Sequence, residues 1–186
     1  MVPDRPRSSI QAIEGRMNTM KAVVVYESLW GNTAAIARAI AEGTGPEARA
    51  LSTAQATAEA IAGADLIVAG APLIGFRLPT DGVRKNIGRD PKHAQRPPDL
   101  SLPSMRSWLA TLPNGRGCCA AFETRFKWSP GSATGAIATG LQRAGYRRIA
   151  KDHPFIVKGT YGPLADGEVE RAKAWGAELA RLCKTA

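Results

Sequence analysis

The stretch Ser28-Leu29-Trp30-Gly31-Asn32-Thr33 lies between an apolar run, Lys21 to Tyr26, and an alanine-rich segment that starts near Thr33. A tight turn there needs one glycine, and Gly31 supplies it, so the other polar groups are surplus to turning. The first amides of a helix have no internal acceptors and point outward with the positive end of the dipole. Ser28 and Thr33 add hydroxyls and Asn32 an amide at the same place, which suits a phosphate. No Lys or Arg lies inside the turn, which disfavours a Walker A loop, and the spacing is not that of a dinucleotide-binding G-x-G-x-x-G. A monophosphate ester held by amides and hydroxyls is the best physical fit; the structural alternative is a plain helix cap.

Other chemistry-bearing residues are sparse. Cys118 and Cys119 are adjacent and face opposite sides if they lie on a strand; Cys183 stands near the end. An odd count without metal-ligand spacing points to reduced, buried thiols, no metal site and a cytoplasmic location. His93 sits in a charged stretch with no Ser, Cys or Asp arranged beside it, and His153 precedes a proline, so both read as structural. Glu27 alone does not make a phospho-acceptor site, which needs an acidic cluster and a lysine. No catalytic acid, base or nucleophile is assigned.

The elements that must position the first turn follow a βα alternation. Lys21 to Tyr26 is a continuous β-branched run, expected of a strand covered on both faces. A helix is expected from Thr33 to Glu42, with Ile36, Ala37, Ile40 and Ala41 on one face and Gly43 and Gly45 ending it. Ala48 to Leu51 reads as a short strand, and Ser52 with Gln55 as a capping box opening a helix to Ala62. Asp65 to Gly70 is a further apolar strand. A long loop rich in proline, glycine and charge then runs to Pro103. Met105 to Leu112 is a short helix, Arg116 to Phe122 a strand and Ser132 to Ala144 a helix. A last strand spans Arg148 to Val157, interrupted at His153-Pro154. Asp166 is expected to cap a closing helix with Val169, Ala172, Gly176, Leu179 and Cys183 on one stripe, while Trp108 and Trp175 are packing residues.

Alternation with apolar strands predicts an α/β fold: a doubly wound, open, parallel five-stranded sheet with helices on both faces. Ligands of such sheets bind outside the carboxyl ends of the strands, where the order reverses. Three loops leave those ends, Glu27 to Thr33, Ala71 to Pro79 and Glu123 to Pro130, and they are expected to converge.

The chain has 186 residues, 44% hydrophobic and 22% charged, with no run long enough to span a membrane. One domain is expected over residues 21–186. Residues 1–20 read as a disordered leader, in which Ile13-Glu14-Gly15-Arg16 resembles a protease site used in recombinant fusions and Met17 and Met20 offer alternative starts. The formal charge of +9 favours anionic partners. Arg77, Arg84, Lys85, Arg89, Lys92, Arg96 and Arg106 outnumber Asp81, Asp90 and Asp99 in the long segment, read as a solvated surface. Nucleic acid is disfavoured because no aromatic residues alternate with these charges.

Ser28, Gly31 and Thr33, with Asn32 between, resemble the first loop of the flavodoxin-like family, Ser/Thr-x-Ser/Thr-Gly-x-Thr, which cradles the phosphate of FMN. Trp30 departs from that pattern and removes a hydroxyl, leaving an indole to pack or to donate its N–H. The resemblance extends over "GADLIVAGAP", "AAFETRF" and "GPLADGEVERAKAWGAEL", and is to a branch with a Glu-Thr-Arg third loop and a basic long second loop. It implies FMN as cofactor and a sheet order of 2-1-3-4-5. It also implies that Ser28, Leu29, Trp30, Gly31, Asn32 and Thr33 hold the phosphate end. Pro72, Leu73, Ile74, Gly75 and Phe76 form one wall of the ring site, with the Gly75 carbonyl available to a protonated flavin N5. Glu123, Thr124, Arg125, Phe126 and Trp128 form the other, Arg125 placing positive charge at the pyrimidine edge. The alternative for Phe76, Phe126 and Trp128 is that they cover core beneath a loop.

The resulting expectation is an FMN-binding electron-transfer protein whose redox partner is unidentified. One alternative is an NAD(P)H-dependent FMN quinone reductase with the long basic loop as lid. Another is an FMN-free module docking an acidic partner. Oligomeric state is left open.

Overall fold

The computed structural model describes residues 20–186. The expected leader, with its protease-like motif and Met17, lies outside the described residues. Strand β1 (Ala22–Tyr26) leads through the polar turn into helix α1 (Asn32–Thr44). Strand β2 (Arg49–Ser52), a single-turn helix α2 (Ala58–Ile61) and strand β3 (Leu66–Pro72) follow. Then come α3 (Asp81–Arg89), a 3-10 turn at Pro91–His93, and α4 (Met105–Ala110). Strand β4 (Cys118–Arg125), α5 (Thr134–Arg143), the short β5 (Arg147–Arg148), β6 (His153–Ile156) and α6 (Glu168–Lys184) complete the chain.

All pairings within the sheet are parallel, in the order β2-β1-β3-β4-β5, with β6 also on β4. β5 and β6 share one strand position: Cys118 and Cys119 pair with Arg147 and Arg148, and Phe122 to Arg125 pair with His153 to Ile156. The expected doubly wound five-position sheet is therefore present. Side chains alternate between two cores, as the period of a strand requires. Val23, Val25, Ile67, Ala69 and Cys119 face Trp108, Ile137 and Leu141 on one side. Val24, Leu66, Val68, Cys118 and Phe122 face Ile36, Ile40, Trp175 and Leu179 on the other. The adjacent cysteines thus point opposite ways, as expected, and Trp108 and Trp175 pack.

Several local expectations are corrected. Ser52 and Gln55 do exchange the reciprocal bonds of a capping box, at 3.3 and 3.0 Å. They close a turn, however, and the helix starts only at Ala58 with Thr57 accepting from the Ala60 amide. The long segment is not a loop, because Thr80 caps α3 within it and Asp90 caps the 3-10 turn. Its charges are not all solvated: Arg84 is buried, and Arg106 donates to the carbonyls of Leu78 and Pro79. The break in the last strand falls at Ile149 to Asp152, and His153-Pro154 lie inside β6. Gly167, with φ of 79°, precedes α6 in place of Asp166, whose carboxylate instead pairs with Lys158.

No helix among the described residues is long and apolar enough to cross a membrane. α1 is set by its contact with α6, where two glycines let the backbones meet. A Cβ on Gly43 would overlap the Lys173 carbonyl, and one on Gly176 the Ile40 carbonyl. Replacing Gly176 with alanine therefore forces α1 and α6 apart. We expect G176A to cost about 1–3 kcal/mol, read as a lower urea midpoint with an unchanged slope.

Candidate functional site

Every helix start on the carboxyl side of the sheet presents unpaired amides, and what satisfies them differs from one to the next. At α3 the Thr80 hydroxyl accepts from Val83. At α4 the Glu27 carboxylate accepts from the Met105 amide at 2.7 Å, alongside the Ser104 cap. At α5 the Glu123 carboxylate takes the amides of Ala133 and Thr134, at 2.7 and 3.2 Å. α6 carries Glu168 and Glu170 in its first turn. α5 has no acid in its first turn, but Glu123 fills its amides; among these helices α1 alone has neither a side chain accepting from its first-turn amides nor an acidic residue in that turn.

The turn before α1 is nonetheless tightly built. Gly31 has φ of 92°, a left-handed value that glycine adopts without a Cβ penalty. Its amide donates to the buried Ser28 hydroxyl at 3.1 Å, which leaves the serine proton free to donate elsewhere. Leu29 is buried and its carbonyl accepts from Asp99 at 2.8 Å. The Thr33 hydroxyl, on α1, meets that of Thr124, on β4, at 2.8 Å. Trp30 donates its indole N–H to the Arg96 carbonyl at 3.0 Å.

The second loop leaves β3 after Pro72, one strand residue pair beyond the expected end. Ile74 and Arg77 exchange both backbone bonds, at 3.2 and 3.4 Å, across Gly75 and Phe76. Both central residues have positive φ, 59° and 66°, as a type I′ turn needs. Phe76 is the one non-glycine in this region of backbone space among the described residues. Such a conformation costs a bulky residue about 1–2 kcal/mol, yet its ring is 64% exposed and buries little in return. Strain of this kind collects at sites of function. The turn docks on the third loop, where a Cβ on Gly131 would overlap the Phe76 carbonyl and Arg77 bridges to Ser132.

The third segment also differs from expectation, because Glu123, Thr124 and Arg125 are the end of β4 and not a loop. Glu123 is buried and spent on α5, and its other oxygen accepts from Arg125 at 2.8 Å. The same guanidinium donates to the Gly131 carbonyl. The charge of Arg125 is thus matched by a carboxylate beside it. Phe126 is 45% and Trp128 86% exposed, so neither covers core.

The three loops converge on a cavity of about 330 Å³, within the range of small-molecule sites. Of the expected residues, Ser28, Leu29, Trp30, Asn32, Thr33, Pro72, Leu73, Ile74, Gly75, Phe76, Thr124, Arg125 and Phe126 line it. Gly31, Glu123 and Trp128 do not: Gly31 is the hinge behind the seat, Glu123 is held by α5, and Trp128 stands in solvent beneath Lys127. Sequence reading missed Ile87, Lys92 and His93, which α3 and the 3-10 turn carry to the cavity, and Ser129, Val157 and Thr160.

Burial raises the Glu27 carboxyl above its ordinary 4.5, with the Met105 amide and then the Arg84 charge acting against it. Arg84 Nε lies 3.2 Å from Glu27 Oε1 without the alignment of a hydrogen bond, so the pair is electrostatic only. Burial, followed by the Arg171 charge, lowers His153, which is stacked on Trp175 at 4.7 Å.

No protein-family model matches the sequence, and no curated protein matches it. Solved structures do. A flavodoxin from the domain Archaea is 24% identical with a TM-score of 0.61, over 89% of this chain and 99% of that one. Oxidised Flavodoxin 1 from Bacillus cereus is 20% identical with a TM-score of 0.57, over 86% and 97%. The rubredoxin:oxygen oxidoreductase of Desulfovibrio gigas is 21% identical with a TM-score of 0.57; 90% of this chain matches 37% of that longer one. With the strand order and the placement of the loops, these likenesses establish an open parallel α/β sheet of the doubly wound class. The chain has the flavodoxin-like fold.

Two outcomes follow. In F76N, a residue that tolerates positive φ relieves the turn, and stability rises by about 0.5–1 kcal/mol in urea unfolding. For Glu27, a raised folded value favours folding fully below pH 4.5 and loses that contribution as pH rises through the folded value. E27Q cannot titrate, so the unfolding free energy of wild type relative to E27Q falls as pH rises above 4.5 through the raised folded value.

Proposed function

We propose that the chain is an FMN-binding, flavodoxin-like electron-transfer protein. The observation that carries this reading is the α1 start, uncapped and without an acid, opening into a cavity whose far walls are two turns bearing exposed aromatic rings. A phosphate ester suits the first feature and a planar heterocycle the second.

When bound, the flavin supplies one- and two-electron chemistry. The protein's part is to bind, orient and shield. The amides at the start of α1 and the Ser28 hydroxyl proton receive the phosphate. Pro72, Leu73, Ile74 and Phe126 offer apolar surface to the ring. The Gly75 carbonyl has no partner among the described residues and is free to accept from a protonated ring nitrogen. Arg125 contributes less positive field than its charge implies, because Glu123 offsets it. No acid, base or nucleophile is required, and Phe76, Phe126 and Trp128 give a redox partner an apolar approach.

The nicotinamide-dependent reductase reading relied on the basic long loop as a lid that attracts the nucleotide's phosphates. That segment carries α3, and Arg84 within it is buried beside Glu27, so a carrier fits the fold better.

The test is reconstitution of the purified full chain with FMN. We expect one flavin per chain, and slow NADPH oxidation unless a separate reductase is added. N32D places a negative charge at the phosphate seat in a position where Asp suits a helix start. It is expected to weaken FMN binding about tenfold or more while leaving riboflavin, which lacks the phosphate, within about twofold. A chain that takes up no FMN at micromolar concentrations refutes the reading.

A further inference from the structure

His93, set aside on sequence grounds as structural, lines the cavity and is 6% exposed. Its Nδ1 lies 2.8 Å from the Tyr161 hydroxyl, and that hydroxyl donates to the Lys92 carbonyl at 3.1 Å. A phenol has a single proton to give. Nδ1 therefore carries the hydrogen of the pair, and the free position of the ring is Nε2, which has no partner among the described residues.

The imidazole is held beside the start of α1 by contacts from three directions. Its ring centroid is 5.2 Å from that of Trp30, the residue before the Gly31 hinge. The Asp99 amide donates to the Leu29 carbonyl and the Trp30 indole N–H to the Arg96 carbonyl, and these bonds fix the segment after His93 along the first turn. Tyr161 is followed by Gly162, whose close approach to the Asn32 side chain leaves no room for a Cβ. Trp30 and Tyr161 both pack against the ring, the latter edge-on at 5.7 Å.

We propose that His93 is a proton-dependent contact for the anionic end of the ligand, its Nε2 donating to a phosphate oxygen beside the α1 amides. This rests on the phosphate-ester reading of the cavity. A neutral ring presents a lone pair at Nε2, which repels an anion, whereas the cation presents an N–H, which binds one. Protonation of His93 and phosphate binding are then linked, each favouring the other. The charged and titratable groups about the ring are few. Lys92 and Asp90, on its own turn, pair with each other at 2.9 Å. Arg96 lies 5.6 Å from the centre of the Tyr161 ring, which contributes a phenol hydroxyl to the cluster. The first turn contributes Trp30, which is uncharged.

The experiment compares FMN and riboflavin binding by the full chain at pH 6.5 and 8.5, a range in which imidazole titrates and most of the phosphate stays dianionic. Wild type is expected to bind FMN about tenfold tighter at pH 6.5, with riboflavin unchanged. H93Q, which keeps an uncharged donor, is expected to lose that difference while its urea midpoint stays near wild type. A pH dependence that survives in H93Q, or that riboflavin shares, overturns the proposal. The chain has two histidines, so the H93Q spectrum assigns the ring signals by NMR. Titration of wild type in inorganic phosphate is expected to move the His93 midpoint upward. Absence of FMN binding at every pH refutes the flavin reading, and the phosphate titration then decides His93 alone: an upward midpoint supports the contact and an unmoved one rejects it.

Discussion

The governing constraint is the demand for acceptors at one edge of the sheet. A parallel sheet delivers the starts of its helices to the carboxyl ends of its strands, and each start brings amides that helix geometry cannot satisfy. Here two of those starts are filled by carboxylates rising from the strands themselves. Glu27, just past β1, bonds α4, and Glu123, within β4, bonds α5. Each carboxylate has an arginine next to it, Arg84 or Arg125. The device satisfies internal donors, anchors two helices on one face and removes two places where an outside anion would otherwise settle. It thereby concentrates the unsatisfied donors of this edge at α1.

The same device explains why parts of the architecture were legible from residue types and parts were not. Continuous apolar runs and the glycine break at Gly45 are local signals, and they located β1, α1 and β3 to within a residue or two, although Gly43 falls inside α1. The turn at Ser28 to Thr33 was legible because its polar groups exceed what turning requires. Glu123 was read as a ring contact because a sequence does not reveal that a strand continues past Phe122 or that a carboxylate is committed to amides ten residues later. Arg84 was read as solvated for the same reason: its burial depends on Glu27, 57 positions earlier. His93 was read as structural because its surroundings, Trp30 and Tyr161, lie far from it in sequence, 63 positions before and 68 after.

The walls of the cavity are built on different terms from its polar end. Gly75 and Phe76 complete a turn that needs positive φ twice, and the chain spends a phenylalanine where glycine or asparagine would sit at lower cost. Phe126 and Trp128 are likewise exposed. Together they give a basic protein an aromatic rim beside the cleft at the carboxyl edge of its sheet. Basic charge around that rim, including Lys127 and Arg77, accelerates encounter with negatively charged species and makes that encounter sensitive to ionic strength.

The glycine contact between α1 and α6 carries one more implication. Where backbones touch with no side chains between them, neither helix has slack to take up a misplaced load, so the amides at the head of α1 keep one arrangement whatever approaches them. The exposed rings of Phe76, Phe126 and Trp128 have no such brace and accommodate by rotating. For the proposed FMN, this makes the site strict about the phosphate tail and lenient about the ring, so that flat molecules sharing that terminal group are expected to compete for it.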